Sequence, residues 1–138
     1  MERTDTMSTT TTTRPNKVAT VIIPMVDQDA ALAFYTEKLG FELRVEIPFG
    51  EGSPMRWIEV GLPGQETTIA LAPPPDGYVV QDNRETGISL QTDDIDAYYE
   101  TLKAAGVDVD AQVQRMGDPV PPMFWFRDHA GNSLMVVQ

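Results

Sequence analysis

The chain has 138 residues, 41% of them hydrophobic and 22% charged, with 21 acidic against 10 basic side chains and no cysteine. That length supports one compact domain with its own core, and a formal net charge of −11 argues against the Lys and Arg clusters that nucleic-acid backbones require. No apolar run approaches the roughly 18 residues of a membrane span, and without cysteine there is neither a disulfide framework nor a thiolate metal ligand, which fits a cytoplasmic location.

Residues 1–16 hold seven threonines, two arginines and no apolar stretch, so they are expected to form a disordered tail. From Lys17 to Met25 the β-branched run KVATVIIPM predicts a strand ending near Pro24. Asp27 then stands at an N-cap position before AALAFYTEKL. Its apolar residues Ala31, Leu32, Phe34, Tyr35 and Leu39 recur at helical spacing, and Gly40 supplies the stop. Phe41 opens a second strand, and two more are expected at Met55–Val60 and Thr67–Ala72. A flexible loop, Phe49 to Pro54, lies between the second and third.

Pro73-Pro74-Pro75-Asp76-Gly77 reads as a stiff connector, continued by Tyr78 to Arg84. After it the order repeats. Ile88–Thr92 predicts a strand, Asp94 an N-cap, Ile95–Ala105 a helix stopped by Gly106, and Val107–Val113 a further strand. A closing hairpin joins Met123–Phe126 to Leu134–Val137 around Arg127-Asp128-His129-Ala130-Gly131-Asn132. Aligning Asp27 with Asp94 brings Gly40 and Gly106 within one residue of register, which marks an internal duplication of a βαβββ unit.

These features resemble the vicinal-oxygen-chelate superfamily, the group of glyoxalase I, bleomycin-resistance proteins and extradiol dioxygenases. The residues that carry the resemblance are Pro24-Met25-Val26-Asp27, Phe34-Tyr35 and Leu39-Gly40-Phe41 in the first half. In the second they are Asp94-Ile95-Asp96, Leu102 to Val107 and Phe126 to Asn132. The resemblance implies an α+β fold in which two βαβββ modules, residues 17–72 and 87–138 with a linker at 73–86, form a half-open β-barrel within a single domain, 17–138. It also implies a site on the concave side of the sheets and a homodimer with clefts between subunits.

Metal-dependent relatives hold a divalent ion with side chains from the first, fourth, fifth and eighth strands. Laid onto this sequence, those positions are Thr20, Ala70, Gly87 and Met135, and a slip of one residue brings in no His, Glu or Gln. No metal and no cofactor is therefore expected at the family site. His129, the single histidine, is expected as an exposed turn residue.

What remains is a pocket for a small molecule, with Phe49, Trp57, Tyr78, Met123, Trp125 and Met135 as candidate lining and Glu59 beside them; each of the six is equally readable as core or interface. In the third strand Trp57 and Glu59 share one face and Arg56 takes the other. Glu59 reads either as a base or counter-ion for a cationic ligand or as an ion-pair partner of Arg44 or Arg56. The expected function is binding or sequestration of a cationic or aromatic small molecule, as in the bleomycin-resistance branch. Two alternatives stand beside it. One is a metal-dependent lyase, isomerase or dioxygenase with ligands moved to Glu46, Glu59, Glu66 or His129; the other is a regulatory or partner-binding domain.

Overall fold

The computed structural model describes residues 13–81 and 83–138, so most of the expected tail lies outside the described residues; residues 13–19 are exposed and irregular. β1 spans Thr20–Pro24 and α1 spans Gln28–Ala33. Asp27, with extended backbone, accepts the Ala30 N–H at 3.0 Å and so satisfies one of the donors that a helix start leaves open. The predicted helix does not remain α-helical to its end. Phe34–Lys38 widens into a π-helical turn, in which the Leu39 N–H reaches back to the Phe34 carbonyl, and Gly40 ends it at φ +90°.

The remaining elements are β2 (Glu42–Pro48), β3 (Arg56–Gly61), β4 (Thr68–Ala72), β5 (Glu85–Gln91), α2 (Ile95–Ala104), β6 (Asp108–Val109), β7 (Met123–Arg127) and β8 (Ser133–Val137). They form two separate four-stranded mixed sheets, ordered β1-β4-β3-β2 and β5-β8-β7-β6. The identical order, with the outer β1 and β5 parallel to β4 and β8, is the duplication read from the sequence.

Two strands depart from expectation. The run predicted at Val107–Val113 shortens to the two residues of β6. The Asp110 carboxylate there accepts from Trp125 N–H and from Arg127, Gln114 makes a single bridge to Met123 of β7, and the chain then leaves the sheet through a segment with Gly117, Pro119, Pro121 and Pro122. β5 starts earlier than predicted and carries a bulge. Glu85 pairs with Ser133 and Ser89 with Met135, so β5 has two residues more than β8 over that span, and Gly87 sits in the bulge at φ +76°.

One hydrophobic cluster serves both modules. Strand alternation sends Ile58, Val60, Ile69 and Leu71 from the first sheet and Phe124, Phe126, Leu134 and Val136 from the second into it, against Phe34 and Tyr35 of the π-helical turn and Ile95, Tyr99 and Leu102 of α2. Each such side chain contributes about 2 kcal/mol by leaving water. Polar bonds cross between modules as well. The Tyr35 hydroxyl donates to Asp128 Oδ2 at 2.8 Å, the Tyr98 hydroxyl to the Leu39 carbonyl at 3.1 Å, and Lys38 Nζ to the Ala105 carbonyl at 2.7 Å. Asp128 in turn accepts the backbone N–H groups of Ala130 and Asn132, which closes the β7–β8 turn.

Burial first, then the adjacent Asp128 carboxylate and the hydrogen bond to it, push the Tyr35 hydroxyl far above the usual phenol range, and burial pushes Tyr98 up to about 12. Tyr35→Phe leaves Asp128 one donor short and should lower unfolding free energy by about 2 kcal/mol, read as a reduced denaturant midpoint at unchanged slope. Above about pH 10 the unfolded chain releases tyrosine protons that the folded chain retains. Stability should therefore fall as pH rises from about 10 to 12, by about 1.4 kcal/mol per pH unit for each of the two hydroxyls, and Tyr35→Phe should remove one proton from that slope in alkaline denaturation curves.

Candidate functional site

Each sheet has one face in the core and one turned away from it. On the first sheet the outward residues follow from register. Thr20 and Gly61 flank Thr68, Ile22 and Glu59 flank Ala70, Val45 pairs with Glu59, and Ile47 pairs with Trp57. Small side chains on the interior strand β4 lie beneath larger neighbours, so Ala70 is fully buried although it points outward. The face is otherwise apolar and open: Ile22 is 53% exposed, Ile47 57% and Phe49 53%. Phe49 meets Trp57 edge to face, with ring centroids 6.5 Å apart.

Glu59 stands in the middle of this face, and the ion pair expected with Arg44 or Arg56 is not there. Arg56 projects from the opposite side of β3 to Glu46 and Asp29. Arg44 lies over Gly61, where a Cβ would come within 2.8 Å of its guanidinium, and donates to the Leu62 and Gln65 carbonyls and to Glu42. Strand parity separates Glu59 from one arginine, and the β3–β4 turn, whose carbonyls need donors, takes the other. The Glu59 carboxylate accepts instead from the Trp57 indole N–H at 2.6 Å and from the Thr68 hydroxyl at 2.7 Å.

On the second sheet the outward residues are Ser89 and Gln91 of β5, Met123, Trp125 and Arg127 of β7, and Ser133, Met135 and Val137 of β8. Met135 lies between Trp125 and Ser89, and Met123 lies opposite Val137; all three of Met123, Trp125 and Met135 are half-buried. Arg127 is held by Asp108 and Asp110. Of the seven residues singled out from sequence, Phe49, Trp57 and Glu59 thus gather on the first open face and Met123, Trp125 and Met135 on the second. Tyr78 is apart from both, exposed in the connector, where Arg84 donates to its hydroxyl at 3.0 Å.

Thr20 and Ala70 lie on the first open face, Met135 on the second and Gly87 in the β5 bulge, so the family's metal corners carry one hydroxyl, two groups without donors and a thioether. This set does not fit a divalent cation, which needs convergent carboxylate or imidazole ligands. The acids considered as relocated ligands are engaged separately: Glu46 with Arg56, Glu66 with Lys17, Glu59 with Trp57 and Thr68. His129 is exposed in the turn, its ring 5.9 Å from that of Phe34. Among the described residues, no group of three or more His, Cys, Asp or Glu converges to hold an ion.

Two clefts were not foreseen. The larger, of about 810 Å³, runs between the first sheet and β5; Val21, Phe41, Thr68, Thr86, Ser89 and Gln91 are among its walls. The smaller, of about 420 Å³, is bounded by Pro24, Val26, Asp27, Val80, His129 and Ala130. None of the seven sequence-derived site residues lines either. The one local signal for the larger cleft was Gly87 inside an otherwise regular strand pattern, because a strand glycine often marks a bulge.

Comparison with known proteins agrees with this architecture. The chain is 29% identical to TnmS3, described as an antibiotic binding protein from Streptomyces sp. CB03234, with 92% of this chain and 98% of that chain covered and a TM-score of 0.76. A Glyoxalase/bleomycin resistance protein/dioxygenase superfamily member from Sphaerobacter thermophilus DSM 20745 is 35% identical over 89% of this chain and 97% of that one, with a TM-score of 0.74. The protein YurT of Bacillus subtilis (strain 168) is 30% identical over 130 residues, 88% of this chain and 98% of its own length. With the family profile matching residues 17–136, the chain belongs to the Glyoxalase/Bleomycin resistance protein/Dioxygenase superfamily.

Proposed function

We propose that this protein captures a flat, largely apolar small molecule against its open sheet faces and sequesters it without chemical change. The observation that carries the reading is the pairing of two features on those faces. Thr20, Ala70, Gly87 and Met135 offer no ion a ligand set, while Trp57, Phe49, Trp125 and Met135 offer rings and a polarisable thioether to a planar ligand. Similarity to a protein described as antibiotic binding supports an antibiotic or other toxic aromatic compound as the ligand class. A ligand of about 25 heavy atoms at roughly −0.3 kcal/mol per atom would bind with about −7.5 kcal/mol, which is low-micromolar affinity.

The working form is a homodimer in the cytoplasm. β2 is exposed along almost its whole length, and Ile22, Ile47 and Phe49 present apolar surface that a second copy would cover. A ligand held between copies would be enclosed on both sides.

The two tryptophans are the only ones in the chain and sit on different sheets, so variants that keep one of them report each face separately. Titration with a panel of planar antibiotics, bleomycin-class compounds included, should quench that emission with a dissociation constant on the order of 1–10 μM. Removing one ring with Trp57→Ala or Trp125→Ala should weaken binding about fivefold. No change in emission or heat across the panel would reject sequestration of this ligand class. In sedimentation, the untreated protein should run at twice the chain mass and Ile47→Glu at the single-chain mass.

A further inference from the structure

We infer that Glu59 is a built receptor for a positive charge, and that the ligand of the first open face is an organic cation whose charge is carried on or beside a flat ring. This rests on the small-molecule reading above and adds the charge of the ligand to it. The carboxylate is held from both sides. Trp57 Nε1 donates to Oε2 at 2.6 Å and Thr68 Oγ1 donates to Oε1 at 2.7 Å. Behind Thr68, the Thr20 hydroxyl lies 3.0 Å from the Thr68 hydroxyl and 3.1 Å from the Thr68 carbonyl, so a chain of hydroxyls crosses β1 and β4 to end on the acid. A carboxylate has about four acceptor positions, and these donors use two while fixing its plane.

The remaining positions are not taken up by any cation among the described residues. Among the described residues, no Lys, Arg or His side chain bridges to Glu59. Arg56 is committed to Glu46 and Asp29, Arg44 to the β3–β4 turn and Glu42, and Lys17 to Glu66. The same indole that orients the carboxylate lies beside it, edge to face with Phe49, and apolar Ile47 and Val45 of the neighbouring strand stand opposite Trp57 and Glu59. A half-buried, oriented, uncompensated carboxylate next to an aromatic ring recognises a cation through two terms, a charge-assisted hydrogen bond or ion pair and the attraction of the ring face for positive charge. Thr68 and Thr20 are positioning residues in this scheme and need not touch the ligand.

Isothermal titration with N-methylacridinium and with acridine, neutral at pH 8, separates charge recognition from ring stacking. The wild-type protein should bind the cation about tenfold tighter than the neutral ring, and the ratio should shrink as salt is raised. Glu59→Gln, which keeps the side chain's shape, should bring the two affinities together. Thr68→Val should leave a preference reduced by several-fold. Equal wild-type affinities would overturn the charge receptor while leaving aromatic sequestration standing, and full preference in Glu59→Gln would overturn it by showing that the charge is read elsewhere. Failure of both compounds to bind would overturn the ring-borne cation as the ligand of this face. Should Glu59→Gln not fold, the wild-type ratio, its salt dependence and Thr68→Val still decide the question.

Discussion

The hydrogen bond from the Tyr35 hydroxyl to Asp128 joins two points 93 residues apart, the π-helical turn of the first module and the closing turn of the second. It is one of the side-chain bonds that cross between the modules over their shared core. Asp128 spends its other oxygen on the backbone of Ala130 and Asn132, so the carboxylate that anchors Tyr35 also shapes the β7–β8 turn. A buried carboxylate is tolerable only when its acceptors are filled, and here each partner supplies what the other lacks. Around this contact, Met25, Phe34 and Phe41 of one module share a core with Tyr99, Phe124 and Leu134 of the other.

With the core side fixed in this way, the opposite faces of both sheets remain for the proposed ligand. The division is visible in the charges. Arg56, Glu46 and Asp29 form their network on the helix-facing side of β3, where they tie α1 to the strands. Gln28, buried at the start of α1, reinforces the same junction by donating to the Leu71 carbonyl and accepting from the Arg56 N–H. On the outward side stand Ile22, Val45, Ile47, Phe49 and Trp57, with the Glu59 carboxylate in their midst. Arrangements that only support the fold would bury such a surface or pair such a charge.

The fold family bears many chemistries, so the site and not the architecture has to carry the functional reading. In this chain the corners that would hold an ion are occupied by Thr20, Ala70, Gly87 and Met135, and strand register puts Trp125 beside Met135. The residues at those corners and the rings near them lie on the outward side of strands whose other side packs into the shared core. The outward face of each strand can therefore change without disturbing the core, because the two faces answer to different constraints.

Much of this was written in local sequence. Period-2 alternation in WIEV and FWFR fixed which side chains share a face, Asp27 and Asp94 marked helix starts, and Gly40 and Gly106 marked their ends, because caps and strand parity depend on neighbours a few residues away. The repeat of those marks was enough to identify the doubled βαβββ unit. Three features needed the folded chain. Glu59 meets Thr68, nine residues on and across a strand pair, as well as its neighbour Trp57, and neither Arg44 nor Arg56 reaches it. The shortening of β6 follows from Asp110 meeting Trp125 and Arg127, and the cleft beside β5 follows from a bulge measured against β8. Local propensity specifies which way a residue points, but which group it then meets is set by sheet register and by the packing of distant segments, and no short stretch of sequence contains that information.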